Sequence, residues 1–599
     1  MTDKLKKAAK AIVDFLSRPF TRMWAFTVSM LVVYLSLKYS LDGRGIQLKY
    51  VVPELFTLSL LLSLLKGKWR TGLEWFFIVF LGILSAVEVY LMNHFKLELS
   101  CQAVQLLLET NSREASEFCS SFVFTTEALK YFGVLCFGLA ISGALYWVRA
   151  KGFLEPYLCK IKQWPRCVLA AEMGIILFVA AFYFMRTGWM AMQPRFAYSL
   201  LSSSVNEFEE RFIAGEEAGG CGVCTPLSRL IHGSRLYLLT TKQCDELIEV
   251  SKTAKIDGCD HTSNNIMLMI GESFIKRHAQ IYGYDKPTTP RMLEEMNKGN
   301  LVVIEDAITM VARTSDVFKE MLSMHSIDQA GSWASEPMFP QLFKQAGYRV
   351  SMISNQYARF KHDIWNSTGA FFLVNPEVSK ILLDYHNEHN YRFDESLLKE
   401  VDTQMSKKAE HNLVMLHMRG QHVSFEYGYP ENQRYFTTKD YANRKGLKQE
   451  QKQDIADYDN CTRYQDSITG ALFNRFANKD MVIVFVSDHG ENVYDDGKTL
   501  GRVHNDFSRA MLESEYQVPM WIWYSDKYKA LHPEMVEKIK SAAKRPFETD
   551  DIPHLMLELA GIRCKYFDAK RSLINEKFNA RRVRLVGDQK LNYEQLLKK

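Results

Sequence analysis

Hydrophobic positions follow two different patterns along the chain. In the first third they form long runs, at Met23–Leu37, Val51–Leu65, Leu73–Met92, Leu129–Val148 and Cys167–Met185. From about Thr262 they form short, largely β-branched or Met-rich runs, at Asn265–Ile270, Tyr348–Ile353, Asn412–His417, Met481–Val486 and Val518–Trp523. Stretches of helical periodicity, such as Glu336–Gln345 and Ala456–Phe476, separate the short runs. The long runs predict membrane-spanning helices. The third and fourth reach the ~20 residues that cross a ~30 Å hydrocarbon core, and the first two extend into their flanks. The short runs predict strands buried on both faces of a sheet, alternating with helices in an α/β domain. Between the two patterns hydropathy falls and Ala214–Cys224 is Gly-rich. The expected organisation is a five-helix membrane domain over 1–186, a linker with helical pieces over 187–261, and an α/β domain over 262–599. A chain of 599 residues has room for more than one domain.

Charge orients the first part. Lys4, Lys6, Lys7, Lys10, Arg18 and Arg22 precede the first run. Lys66, Lys68 and Arg70 lie between the second and third, and Arg149, Lys151, Lys160, Lys162 and Arg166 between the fourth and fifth. Basic loops stay in the cytoplasm. Five crossings then put everything after about Arg186 on the outer side. The charged, amphipathic Lys4–Phe15 stretch fits an inner-surface segment better than a cleavable signal. The outer loop at about 94–126 is amphipathic and reads as an interfacial helix or as a platform for the outer domain. Glu88 and Glu172 fall inside predicted spans, where carboxylates are functional candidates. Both lie close to a span end, so solvation at the interface is the expectation for them. With 74 basic and 69 acidic residues, the balance gives no nucleic-acid footprint. Cys221 and Cys224 lack a second pair for zinc, and outside the cytoplasm a local disulfide is expected. Arg581–Arg584 is basic and reads as a solvated edge strand, with anionic headgroups the alternative partner.

Two of the predicted strands end in metal-ligand chemistry. Met481–Val486 runs through Ser487 into Asp488-His489-Gly490, and Asn265–Ile270 runs into Gly271-Glu272-Ser273. Open α/β sheets gather chemistry at the carboxyl ends of their strands. Carboxylate and imidazole are ligands for zinc-like ions, and Gly490 is expected to let the backbone turn sharply. One metal site assembled from distant segments follows, with Thr314 lying between them in sequence.

The stretch Gly271–Pro290, with its Glu272-Ser273 opening and its Tyr282-Gly283-Tyr284 and Thr288-Thr289-Pro290 ending, is similar to the signature of the phosphoethanolamine transferases. The later Asp488-His489-Gly490-Glu491 and the five runs ahead of the α/β domain extend the likeness over essentially the whole chain. These are inner-membrane enzymes of Gram-negative bacteria with an alkaline-phosphatase/sulfatase-like periplasmic domain. The resemblance therefore implies a helical transmembrane domain plus an α/β domain with a central mixed sheet flanked by helices. It implies Glu272, Asp488 and His489 as zinc ligands and Thr314 as both nucleophile and ligand. His422 and His504 correspond to histidines near the substrate or a second zinc, and Lys361 to a donor-pocket lysine. Thr110 and Glu114 match a substrate-binding pair on the outer loop. Met310 and Glu320 stand where many members carry a disulfide, Ala312 where a polar Thr is common, and Phe318-Lys319 replaces a frequent Val-Pro.

The implied chemistry agrees with the residues. A threonine hydroxyl is a weak nucleophile at neutral pH, and zinc lowers its pKa while holding phosphoryl oxygens. Three protein donors leave a fourth position for Thr314 or substrate. Ser315 is the competing hydroxyl, but neighbouring residues at a helix start point ~100° apart. The resemblance implies one firmly bound zinc with allowance for a second, phosphatidylethanolamine as donor, and lipid A or the lipopolysaccharide core as acceptor. It also implies a monomer with no nucleic-acid partner. A phosphoglycerol transferase or lipid phosphodiesterase on the same fold is the alternative, then a non-catalytic membrane sensor. A sulfatase is disfavoured, because no Cys/Ser-x-Pro-x-Arg surrounds Thr314.

Overall fold

A computed structural model describes residues 23–41, 48–65, 67–95, 99, 104, 125–154, 200–203, 205, 208, 225–356, 371–423, 425–502, 506–587 and 589–598. The chain divides into two compact units, Met1–Thr240 with Phe360–Ile364, and Thr241–Arg359 with Trp365–Lys599.

The first unit is helical. Helices α1 (Trp24–Ser40), α2 (Leu48–Ser63), α3 (Gly67–Phe95) and α4 (Thr126–Ala150) cover four of the five long apolar runs, and α5 (Pro226–Thr253) begins here. Among the described residues, two segments are long and apolar enough to cross a membrane, Gly67–Asn93 with 27 residues and Ala128–Ala150 with 23. The helices on the first two runs have 17 and 16 residues. Cys167–Met185, with Glu172, lies outside the described residues. Small residues let α1 and α4 approach closely: a Cβ on Gly138 would meet Val33 Cγ2 at 3.1 Å. Glu74 of α3 is fully buried. It accepts from Tyr146 at 2.8 Å and pairs with Arg149 of α4 at 2.9 Å.

Glu88 departs from expectation. It is not solvated at an interface but buried, and it is ion-paired with Arg229 on the first turn of α5. A charge this far from water is tolerated only with a charged partner. That partner lies 141 positions away, where no local pattern reveals it.

The second unit is built on a seven-stranded mixed sheet. Its strands are β1 (Asn265–Gly271), β2 (Leu301–Ile304), β3 (Arg349–Ser354), β4 (Tyr385–His386), β5 (Asn412–His417), β6 (Val482–Ser487) and β7 (Met520–Tyr524). They lie in the order β2-β7-β6-β1-β5-β3-β4. β2 and β6 run antiparallel to β7, and the remaining neighbours are parallel. The apolar runs are continuous because both faces are buried. Ile266, Leu268, Ile270, Val482, Val484 and Val486 point into one core. Met267, Met269, Ile483, Phe485, Trp521 and Trp523 point into the other. Helix α6 (Thr314–Leu322) contributes Val317, Phe318, Met321 and Leu322 to the first core. Helix α7 (Gln449–Phe476) contributes Tyr458, Cys461, Tyr464, Leu472 and Phe473 to the second.

Register brings the chemistry to one edge. Gly271 pairs with Ser487, Ile270 with His417, and Ser354 with His417. The carboxyl ends of β1, β3, β5 and β6 therefore finish level with one another. Gly271 is confined by packing, since a Cβ there would lie 2.7 Å from Phe485 Cζ.

The basic segment near the C-terminus is not a solvated strand. Arg584 forms ion pairs with Asp306 at 2.8 Å and Glu594 at 2.7 Å. Arg582 is enclosed by Asp550, Asp551 and Glu548. The buried acids that face Arg582 come from a segment more than 30 positions back, at Glu548–Asp551, which is why the basic run reads as surface.

Candidate metal centre

The loop after β6 carries Asp488 and His489, and the loop after β1 carries Glu272. All three are buried, with 1% exposure or less. One ligand atom from each lies within 4.8 Å of the others. Gly490 is needed here for close approach rather than for a left-handed turn, because a Cβ would fall 1.9 Å from Ser514 O. Its N–H donates to Glu515 O at 2.8 Å. Ser273, by contrast, does take a left-handed φ of 55°. Its N–H donates to Asp488 Oδ1 at 3.0 Å and its hydroxyl to Glu272 Oε1 at 2.7 Å. Strain of this kind collects at functional sites, where surrounding contacts hold it. Tyr458 of α7 fixes the same loop, accepting from Ile275 N–H and donating to Ser273 O, both at 2.7 Å.

The imidazole is set for ligation. Nδ1 of His489 lies 2.7 Å from Gly490 O, so Nδ1 carries the proton and donates it. Nε2 then presents a lone pair toward Asp488 Oδ2 at 3.3 Å and Glu272 Oε1 at 3.5 Å. Burial, then the nearby Arg502 charge, lowers the His489 pKa to about 3, against the pull of Glu272. Glu272 and Asp488 titrate as a pair. Burial opposes ionisation of Glu272, yet His489, His422 and Arg502 hold its carboxyl well below the usual range. Burial, then repulsion from Glu272, pushes Asp488 well above it. Asp488 Oδ2 is buried without a hydrogen-bond partner. A buried carboxylate oxygen left in that condition is costly, and a divalent cation beside it removes the cost. The donor set, two carboxylates and one imidazole Nε2, suits zinc.

Thr314 opens α6, with Arg313 extended before it. Its Oγ1 donates to Glu272 Oε2 at 3.1 Å and lies 3.1 Å from His489 Nε2. The helix start is braced by a buried cluster in which Asp316 accepts from Arg313 at 2.6 Å and pairs with Lys319 at 2.8 Å. Met310 and Glu320, where relatives of the resembled family carry cysteines, have contacts of their own. Thr549 Oγ1 donates to Met310 Sδ at 3.4 Å, and His325 Nδ1 lies 3.3 Å from Glu320.

The structure adds residues that the motifs did not single out. Gln356, just past β3, donates through Nε2 to Glu272 Oε2 at 2.9 Å and to Met418 O at 3.0 Å. Glu491 is buried, and its Oε2 lies 3.4 Å from Ser273 Oγ. Arg502 places Nη1 2.6 Å from His489 Nε2 and 3.1 Å from Ala312 O. Glu491 directly follows the Asp488-His489-Gly490 motif, and Arg502 lies two positions before His504. Gln356 belongs to no motif. His422 is half-buried, with Nδ1 3.3 Å from Val423 O. His504, Lys361, Thr110, Glu114, Cys221 and Cys224 lie outside the described residues.

Comparisons with known proteins agree with this architecture. The sulfatase family model matches residues 264–562. Phosphoethanolamine transferase EptC of Escherichia coli (strain K12) is 28% identical over 328 residues, covering 54% of this chain and 55% of that protein. The chain thus spans about half the length of that relative. Phosphoethanolamine transferase CptA of Salmonella typhimurium is 24% identical over 507 residues, covering 83% of this chain and 80% of that protein. Among solved structures, the C-terminal periplasmic domain of EptC from Escherichia coli in complex with Zn has 27% identity and a TM-score of 0.49, covering 57% of this chain and 95% of that one. Residues 264–562 thus form a sulfatase-family domain, and the two relatives compared above are phosphoethanolamine transferases.

Proposed function

We propose that this protein moves phosphoethanolamine from phosphatidylethanolamine to lipid A or the lipopolysaccharide core, through an intermediate carried on Thr314. The observation that carries the reading is the approach of Thr314 Oγ1 to Glu272 Oε2 and His489 Nε2, at 3.1 Å each, inside a buried acid–imidazole cluster. A hydroxyl held against metal-ligand side chains has no structural need to be there, and a scaffold or sensor has no use for the arrangement.

Glu272, Asp488 and His489 would hold one zinc ion, with a second allowed by His422 and His504. Zinc there supplies Lewis-acid polarisation of the phosphoryl group and eases ionisation of the threonine hydroxyl. In the first displacement the Thr314 Oγ1–P bond forms as the bond from phosphorus to the diacylglycerol oxygen breaks. The threonine proton has an acceptor in Glu272 Oε2, and the departing oxygen takes a proton for which His422 is the assigned donor. In the second displacement an acceptor hydroxyl attacks phosphorus and gives its proton to His422, while the Thr314 Oγ1–P bond breaks and the threonine oxygen takes back the proton held by Glu272. Gln356 and Ser273 orient the Glu272 carboxylate through both half-reactions. Lys361, Thr110 and Glu114 are assigned to the lipid substrates. The proposed setting is the bacterial inner membrane, with residues 1–186 spanning it, 187–261 linking, and 262–599 in the periplasm as a monomer.

Labelled lipid donors test the reading against its alternative. Purified protein given phosphatidylethanolamine labelled in the headgroup should pass the label to lipid A, as mass spectrometry reads directly. Transfer from phosphatidylglycerol with none from phosphatidylethanolamine would establish a phosphoglycerol transferase instead.

A further inference from the structure

We propose that Arg502 is the residue that receives the non-bridging oxygens of the phosphoryl group at this centre. The inference deepens the transferase reading and rests on Thr314 as the nucleophile.

Charge is the first argument. Glu272, Asp488 and Glu491 are all buried around the site. A phosphodiester is an anion, and three carboxylates repel it. A divalent cation offsets only part of that charge. A permanently charged guanidinium supplies the remainder, and Arg502 is in place for it: its Nε lies 3.7 Å from Glu491 Oε2, and its Nη1 lies 2.6 Å from His489 Nε2, which clusters with Glu272 and Asp488.

Position is the second. Arg502 Nη1 and Thr314 Oγ1 meet at the same atom, His489 Nε2, at 2.6 Å and 3.1 Å. The same Nη1 donates to Ala312 O, two residues before Thr314, at 3.1 Å. The guanidinium therefore lies beside the bond that would form between threonine and phosphorus. Gly501 aims it there. Its φ of 93° is a left-handed value, and its N–H is fixed to Asn492 O at 2.9 Å.

Valence is the third. The Nε2 lone pair of His489 cannot serve both a metal ion and an Arg502 N–H. Once a metal takes it, that N–H needs another acceptor in a crowded, acidic site. Phosphoryl oxygens match the planar fork of a guanidinium in spacing and charge. The cations nearest Thr314 in sequence, Arg313 and Lys319, are each committed to Asp316, at 2.6 Å and 2.8 Å.

The test uses the full-length, zinc-loaded protein in detergent, with inorganic phosphate and phosphoethanolamine as calorimetric probes. Arg502→Gln should keep its zinc and bind both probes about 10- to 100-fold more weakly, as expected for loss of a charge-assisted hydrogen bond. Arg502→Lys should fall between, since it keeps the charge and loses the fork. Wild-type phosphate affinity in Arg502→Gln overturns the proposal. So does loss of zinc in parallel with phosphate, which would make Arg502 part of the metal site's construction. If Arg502→Gln does not fold, Arg502→Lys decides alone, and wild-type affinity in that variant overturns the proposal. Arg502-dependent phosphate binding without phosphoethanolamine transfer would leave this inference standing and sink the transferase reading. No phosphate binding by the wild type would end both.

Discussion

At the scale of single residues, the site depends on atoms whose roles are fixed by their other hydrogen bond. His489 is neutral and offers Nε2 because Nδ1 is occupied by Gly490 O. His489→Ala should therefore strip metal as well as activity, and elemental analysis of the purified variant checks it. Full zinc occupancy in a Glu272→Ala/Asp488→Ala/His489→Ala triple variant would mean that the ligands are elsewhere. His278 behaves in the opposite way. Burial works against its charge, but Asp459 at 2.6 Å and Asp495 at 3.4 Å raise its pKa to about 10. A folded pKa above the unfolded ~6.5 gives stability that is complete below that value and is lost as pH rises through about 10. Thermal melts of the wild type should fall across this window, and His278→Gln should flatten the slope. An unchanged slope in the variant would rule the pair out as its source. Glu272, Asp488, His489 and Thr314 were legible because strand ends and motif neighbours carry them. Gln356 was not, since its partner Glu272 is 84 positions away and nothing local marks it.

At the scale of elements, burial on both faces made the long strands readable, and β5 has the bounds its apolar run predicts. β2 and β4 were missed, having four residues and two. Runs that short carry no periodicity. Helix α5, with 28 residues, lies in the region read as a linker with helical pieces, and its low hydropathy and mixed sequence left its length unmarked. The Arg229–Glu88 pair ties α5 to α3, with side chains 5% and 3% exposed. Removing one member of a buried pair costs about 3–5 kcal/mol, while replacing both with apolar residues costs far less. Arg229→Met should lower the melting temperature sharply, and Glu88→Met/Arg229→Met should recover most of the loss. A double variant no more stable than the single one would show that the pair is not the contact that matters.

At the scale of the whole molecule, one chain carries both apolar helices and a sulfatase-family domain. The helices Gly67–Asn93 and Ala128–Ala150 are long enough to span a bilayer, and the basic loops assign their flanks to one side. Reporter fusions should place Met1 and the Lys66–Arg70 loop in the cytoplasm and Gly490 outside. A cytoplasmic reporter after residue 200 would reverse that topology. Acceptor choice was not legible at any scale, because it depends on surfaces that no motif encodes. The proposed covalent step is different, since one atom would carry it. The most direct measurement is peptide mass spectrometry of protein purified from cells that make phosphatidylethanolamine. Thr314 should carry a phosphoethanolamine ester, and Thr314→Ala should lack it and abolish transfer while retaining zinc. The same adduct on Ser315, or wild-type turnover in Thr314→Ala, would contradict it.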